Sequence, residues 1–315
     1  MLAHEGLAVQ IVDSGPLGAT IARTFPPHTR FFTSPERLSL FGLAIAPLHQ
    51  EKLTGEEYLA YLRQYVATHD LRVDTFTEIL SGARQPVKVV GRTLSGQRRV
   101  YSADTLVLAT GGTDRPRRLG VPGEDLPHVR SHLGDPHRYA GRRVVIVGGR
   151  NSAVESALRC YRVGAQVHLV HRRSHIHERV KFWLRPEVQS LLDEGAITGH
   201  LPGEVAEITP EAVVLSDGRR LEADDVVLQI GYEQDGALFD MFGVPRDGVR
   251  KAPVIDPDTM RAAEDLYVVG TATAGTQDRF EVFIENSHDH AGRVAAALAG
   301  RAAPSPRPAR PIPEV

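Results

Sequence analysis

Arg142-Arg143-Val144-Val145-Ile146-Val147-Gly148-Gly149-Arg150-Asn151-Ser152-Ala153 is the stretch from which the rest of the chain can be read. Residues 144–147 form an apolar, β-branched run, the pattern of a short strand buried on both faces in a parallel sheet. Gly148 and Gly149 end it. From Asn151 onward, Ala153, Val154, Ala157 and Leu158 recur on one face at helical spacing. A strand, a glycine turn and a helix N-terminus together make an anion site. Backbone N–H groups and the positive end of the helix dipole meet a phosphate there, and the glycines let a pyrophosphate approach. The dinucleotide fingerprint is G-x-G-x-x-G/A; this chain has Arg150 in place of the middle glycine. Arg150 either reaches the pyrophosphate or points to solvent.

The sequel strengthens this reading. After Gly164-Ala165, residues 166–170 (Gln-Val-His-Leu-Val) repeat the strand pattern and end at His171-Arg172-Arg173, where a dinucleotide fold meets the adenosine ribose. An acid at this place would bind the 2′-hydroxyl of NAD. Here the next acid is Glu178, and two arginines stand instead. Their guanidinium forks suit a 2′-phosphate, so NADPH is the expected cofactor. The alternative is a solvated basic strand end.

The N-terminal stretch repeats this pattern. Gly6-Leu7-Ala8-Val9-Gln10-Ile11-Val12-Asp13 aligns with Gly164-Ala165-Gln166-Val167-His168-Leu169-Val170-His171. Residues 8–12 are therefore expected to be the second strand of another dinucleotide fold, with Asp13 accepting the ribose hydroxyl. By the same alignment the first strand and its glycine loop would fall upstream of Met1, the loop by about ten residues. Residues 1–6 would be the stub of the following helix. Either the chain starts late, or one nucleotide site lacks its phosphate cradle. A second repeat pairs residues 103–111 (Ala-Asp-Thr-Leu-Val-Leu-Ala-Thr-Gly) with residues 223–231 (Ala-Asp-Asp-Val-Val-Leu-Gln-Ile-Gly). The fold class predicted is α/β, with two Rossmann-like, three-layer ββα dinucleotide-binding domains. An NADPH domain at 119–235 is inserted into a FAD domain at 1–118 plus 236–303, and a proline-rich disordered tail covers 304–315. The crossings near Val121-Pro122-Gly123 and Gly231-Tyr232 suit a hinge.

Composition narrows the function classes. The chain has 315 residues, enough for two domains, and 37 basic residues against 39 acidic, which points to no nucleic-acid or membrane-surface partner. No apolar run approaches the roughly 20 residues of a membrane span, and no leader pattern stands at the start. Cys160 is the single cysteine, so internal disulfides and a CxxC pair are excluded, and a cytoplasmic protein is expected. Its place in the helix after the glycine turn suits a small core residue. His168, His171, His175 and His177 lie close in sequence, but strand alternation separates His168 from the others, and no metal is expected.

Elsewhere, Thr54-Gly55-Glu56-Glu57 predicts a capping box opening a helix that buries Tyr58, Leu59, Leu62, Tyr65 and Val66. Residues 73–80, 87–93 and 98–101 predict antiparallel strands. Residues 266–272 predict a buried strand and a small-residue loop at Gly270. Residues 281–298 predict one helix.

Four stretches carry a family resemblance: Thr29-Arg30-Phe31-Phe32-Thr33-Ser34-Pro35-Glu36, Gly148 to Ala153, Lys181-Phe182-Trp183-Leu184-Arg185-Pro186-Glu187, and Phe283-Ile284-Glu285-Asn286. With Ala109-Thr110-Gly111 they resemble the thioredoxin-reductase type of flavoprotein disulfide reductases, and more narrowly the bacillithiol-disulfide-reductase-like (YpdA) branch. Thioredoxin reductases proper carry a CxxC, which this chain lacks. The resemblance implies FAD and NADPH as cofactors and a small-molecule disulfide as substrate. Dimers are common in that family, so a homo-oligomer is expected. It implies Asp13, Thr110, Gly111, Gly270, Phe283 and Ile284 on the FAD side. Gly148, Gly149, Arg150, Asn151, Ser152, His171, Arg172 and Arg173 belong to the NADPH side. The family's flavin glycine loop, which often includes a cysteine, falls before Met1. A helix N-terminus near residues 280–281 is expected to face the flavin ring. The competing readings are a ferredoxin/flavodoxin-type NADP reductase, which also needs no CxxC, and a non-catalytic NADPH-binding remnant.

Overall fold

The β-branched run at 144–147 is the centre of a five-stranded sheet. The structure is a computed structural model that describes residues 1–26, 29–49, 51–277 and 281–304. Strand Arg143–Val147 lies between Gln166–Val170 and Asp225–Leu228, flanked outside by Thr198–His200 and Val129–Arg130, and every pairing is parallel. Successive side chains point to opposite faces. Val144 and Ile146 pack with Ala153, Ala157 and Leu158 of helix Asn151–Arg162, while Val145 and Val147 pack with Ile208, Val213 and Leu215. The second group comes from an antiparallel sheet of Val205–Ile208, Ala212–Leu215 and Arg220–Glu222. Helices, parallel sheet and antiparallel sheet make the three layers. Burial on both faces is why the central run is apolar throughout. The opposite end of this strand from the glycines is tied by charge. Arg142 Nε stands 2.6 Å from Asp225 Oδ2, and Arg143 pairs with both Asp224 and Glu222.

The chain divides into two compact units: Met1–Ala22, Thr33–Arg115 and the described residues from Tyr232 on, and Arg23–Phe32 with Pro116–Gly231. The second contains the sheet above. Nothing in the sequence marked Arg23–Phe32 as part of the second unit. This excursion means the chain crosses between units at 22/23 and 32/33 as well as at 115/116 and 231/232.

In the first unit Gln10–Val12 pairs in parallel with Arg72–Asp74, as its repeat partner Gln166–Val170 pairs with Thr198–His200. Leu106–Leu108 pairs in parallel with Leu266–Val268, which is antiparallel to Arg261–Ala263. Thr77–Ala83, Val87–Thr93 and Arg98–Ala103 form an antiparallel sheet. The core joins Val87, Val89, Leu108, Phe239, Phe242, Leu266 and Val268. The two units differ at one place. In the second, Arg143–Val147 joins the two halves of the parallel sheet. In the first, among the described residues, Gln10–Val12 and Leu106–Leu108 belong to separate sheets. Burial follows: Ile11 is 38% exposed, while its counterpart Leu169 is 0% exposed.

Several local expectations need correction. Residues 73–80 are not one strand. Phe76 turns left-handed at φ 52, Thr77 N–H bonds back to Asp13 C=O at 2.8 Å, and a parallel strand becomes an antiparallel one. Residues 1–6 hold a 3-10 turn, Leu2–Glu5. The expected helix over 281–298 begins only at His288 and runs His288–Leu298. The Gln277 side chain accepts the N–H groups of Glu281 and Val282, and Asn286 Oδ1 accepts that of Phe283, so the backbone is held in a loop. The expected N-terminus near 280–281 therefore does not exist as such, and residue 280 lies outside the described residues. So does the expected disordered tail from 305 on. The capping box is present: Glu57 N–H donates to Thr54 Oγ1 at 3.2 Å and Thr54 N–H to Glu57 Oε2 at 2.7 Å, opening Gly55–Thr68.

Candidate functional site

The strand-turn-helix at 143–162 builds the first half of the site. Gly148 leaves the strand with φ +145, and a Cβ there would stand 2.4 Å from the carbonyl oxygen of Gln229 and 2.8 Å from Ala153 Cβ. The turn is therefore closed against the neighbouring strand end and the helix, and only glycine fits. A Cβ on Gly149 would lie 2.4 Å from the His171 ring. This contact seats His171 on the turn, bringing the end of Gln166–Val170 to the glycines. Asn151 and Ser152 open the helix, and Arg150 is exposed at its N-cap with no side-chain cap bond. The turn is held from outside as well: His177 N–H donates to Gly149 C=O at 3.1 Å, and Lys181 N–H to Asn151 Oδ1 at 2.7 Å.

The electrostatics of this end are cationic. Arg172 and Arg173 are exposed and have no ion-pair partner among the described residues, whereas Arg142, Arg143, Arg162 and Arg219 all meet carboxylates. Burial pushes the His171 imidazole down to about 4, and Arg172 and Arg173 push the same way. Its Nε2 is buried without a hydrogen-bond partner. A glycine cradle, an unsatisfied imidazole and two unpaired guanidinium groups match a dinucleotide phosphate end. His168 does not join this group; its Nδ1 stands 3.0 Å from His200 Nε2, and Arg219 closes the other side of His200.

In the first unit Asp13 stands at the end of Gln10–Val12, with its Oδ1 accepting Gly15 N–H at 2.7 Å and its backbone joined to Asp74 and Thr77. Thr110 and Gly111 follow Leu106–Leu108. The Thr110 hydroxyl is buried without a partner, and Gly111 takes φ +86. Gly270 follows the paired strand Leu266–Val268 and donates its N–H to His290 Nδ1. One side chain joins these two loops: Gln234 Nε2 donates to the carbonyls of Gly111 and Ala272, both at 2.8 Å. Thr110, Gly111 and Gly270 are thus brought together. Asp13 lies at the end of the other sheet, and Phe283 and Ile284 sit in the loop pinned by Gln277 and Asn286. Beside them, burial pushes the Glu285 carboxyl up from its ordinary range. Asp13, Thr110 and Gly111 suit the ribose and turn contacts of a flavin nucleotide, but no second strand-glycine-helix cradle exists in this unit among the described residues.

The sequence did not single out Gln229 and Gln234, which shape the glycine turn and join the two loops. Gln229 is marked only as a polar residue directly after an apolar run, and Gln234, after Tyr232–Glu233, carries no such mark. Cys160 is fully buried, and burial pushes its thiol up to about 12. No thiol among the described residues is poised for exchange. Among the described residues, no helix is long and apolar enough to cross a membrane.

The family model described as pyridine nucleotide-disulphide oxidoreductase matches residues 1–270. The chain is 30% identical over 307 residues to bacilliredoxin reductase Bdr of Bacillus subtilis, covering 95% of this chain and 93% of that one. It is 34% identical over 278 residues to a ferredoxin–NADP reductase of Ignicoccus hospitalis, covering 84% and 89%. The solved bacillithiol disulfide reductase Bdr (YpdA) of Bacillus cereus superposes with a TM-score of 0.89 at 30% identity, covering 95% and 93%. The expected two-domain, thioredoxin-reductase-like flavoprotein fold is therefore the fold of this protein, and the family's cofactors are FAD and NAD(P)H. The chain belongs to the pyridine nucleotide-disulphide oxidoreductase family.

Proposed function

We propose that this flavoprotein oxidoreductase uses NADPH to reduce a low-molecular-weight disulfide such as bacillithiol disulfide, in the cytoplasm and as a homo-oligomer. The NADPH domain is 119–235 and the FAD domain 1–118 plus 236–303. NADPH rather than NADH is supported by the unpaired Arg172 and Arg173 at the ribose end of a turn that only glycine fits. The disulfide is supported by the likeness to the Bacillus cereus bacillithiol disulfide reductase over 95% of this chain. Hydride and one proton enter, and two thiols leave. A bound flavin supplies the two-electron relay, and the protein supplies position and charge. Gly148, Gly149, Asn151 and Ser152 hold the pyrophosphate, while His171, Arg172 and Arg173 hold the 2′-phosphate. Asp13, Thr110 and Gly111 hold the flavin nucleotide, with Gly270, Phe283 and Ile284 beside it. The one cysteine being buried, the disulfide takes its electrons without a thiol relay from the described residues.

The Ignicoccus relative at 34% identity favours a second reading, in which the acceptor is ferredoxin. One experiment decides. The purified protein is examined for a flavin spectrum, and NADPH consumption is followed with bacillithiol disulfide, other small disulfides and reducible ferredoxin. Turnover with the disulfide alone supports the first reading, and turnover with ferredoxin alone replaces it with the second. A colourless protein that binds NADPH without consuming it overturns both.

A further inference from the structure

Lys181 is a buried cation, 7% exposed, and it holds one turn of helix Asn151–Arg162 at both ends. Its backbone N–H donates to Asn151 Oδ1 at 2.7 Å, and its Nζ stands 3.3 Å from Glu155 Oε2. Asn151 and Glu155 are four residues apart, one above the other on the same helix face. Glu155 is also 7% exposed. Its other oxygen accepts the Thr29 hydroxyl at 2.9 Å and Arg159 Nη2 at 3.1 Å, and Lys181 Nζ donates further to Arg30 C=O at 3.0 Å. The pair therefore ties three pieces of the second unit together: the first helical turn, the segment after His177, and the excursion Arg23–Phe32.

A carboxylate buried within the first turn and a half of a helix is out of place beside a phosphate site. It repels the anion that the helix N-terminus attracts. The two cations against it, Lys181 and Arg159, turn the local charge positive. We infer that Lys181 and Glu155 are positioning residues for the pyrophosphate: Lys181 clamps the helix turn that receives it and, with Arg159, outweighs the Glu155 charge. This rests on the nucleotide reading of the glycine turn given above. Lys181→Met takes the local charge from positive to zero, Glu155→Gln makes it more positive, and the double variant restores the starting value.

The test uses the full chain and measures dissociation constants for NADPH and for 2′-AMP at low and high salt. Lys181→Met is expected to weaken NADPH by about tenfold at low salt and less at high salt. It should leave 2′-AMP, which reaches only the His171–Arg173 end, within about twofold. Glu155→Gln is expected to bind NADPH at least as tightly as the parent, and K181M/E155Q to recover to within about threefold of it. Thr29→Val, which removes a neutral partner of Glu155, should leave NADPH binding unchanged. A purely structural pair behaves differently: both single variants lose affinity, and the double variant does not recover. That result overturns the inference and leaves the nucleotide site standing. If Lys181→Met does not fold, Glu155→Gln alone decides, since weaker NADPH binding by it is sufficient to overturn the inference. A parent chain that binds neither NADPH nor 2′-AMP removes the nucleotide reading and the inference together.

Discussion

Arg172 and Arg173 have no ion-pair partner among the described residues, whereas Arg142, Arg143, Arg162 and Arg219 of the same unit each meet a carboxylate. Replacing Arg172 and Arg173 with Ala should cost NADPH about 1.5–3 kcal/mol for each charged hydrogen bond lost and NADH little. Equal losses for the two cofactors in paired titrations would remove the 2′-phosphate assignment. Cys160 gives the opposite kind of prediction. With its thiol buried and pushed up to about 12, it should react with a thiol reagent only on unfolding, and Cys160→Ala should keep disulfide turnover. Loss of turnover in a folded C160A protein would refute this. His171 and His200 carry a pH signature. Burial, with Arg172 and Arg173 near one and His168 and Arg219 near the other, pushes both down to about 4 from the ordinary 6.5. Between those values the unfolded chain binds more protons than the folded one. Their contribution to stability is whole above the ordinary value, falls as pH drops through the window, and is gone below the folded one. The urea midpoint read from Trp183, the single tryptophan, should fall between pH 7 and 4.5, and less steeply in His200→Asn. A flat profile would contradict it. At this scale the basic strand end was legible because His171-Arg172-Arg173 is contiguous. The Gln234 link was not, because Gly111 and Ala272 meet it only through the fold.

The glycine turn is the element the sequence announced best, since strand, turn and helix follow each other without interruption and each has its own period. Gly148→Ala should strain the turn twice, through φ +145 and through overlap with the Gln229 carbonyl, and cost several times the ~1 kcal/mol of an ordinary glycine replacement. Thermal melts of the apo protein would measure it; a variant within a degree of the parent would show that the turn gives way. Gly149→Ala should instead move the His171 ring and weaken NADPH with a smaller loss of stability. The elements that misled the sequence reading share a cause. Residues 281–287 have helical spacing, but the side-chain amides of Gln277 and Asn286 donate to the Val282 and Glu281 carbonyls that a helix would use. Residues 73–80 have strand propensity throughout, and only the left-handed Phe76 reveals the change of partner. The pattern of apolar residues records burial, not which backbone group is already taken.

At the scale of the whole molecule, the two repeats announced a doubled dinucleotide fold. What they hid was the excursion Arg23–Phe32, because its contacts are with residues more than a hundred positions away. That excursion has a consequence for how the chain is made. Thr29 is separated from Glu155 by 126 residues, and Arg30 from Lys181 by 151. At about 5–20 residues per second, a ribosome presents the excursion on the order of ten seconds before its seat exists. Throughout that interval Thr29 and Arg30 lack Glu155 and Lys181, the partners that hold the excursion in the folded chain. Nascent chains halted before residue 182 has left the tunnel should be cut by protease within 23–32, and longer ones should be protected there. Synthesis from the N-terminus thus leaves the second unit with its first-made piece waiting on later ones: Arg23–Phe32 leaves the ribosome well before Glu155 and Lys181, which hold it.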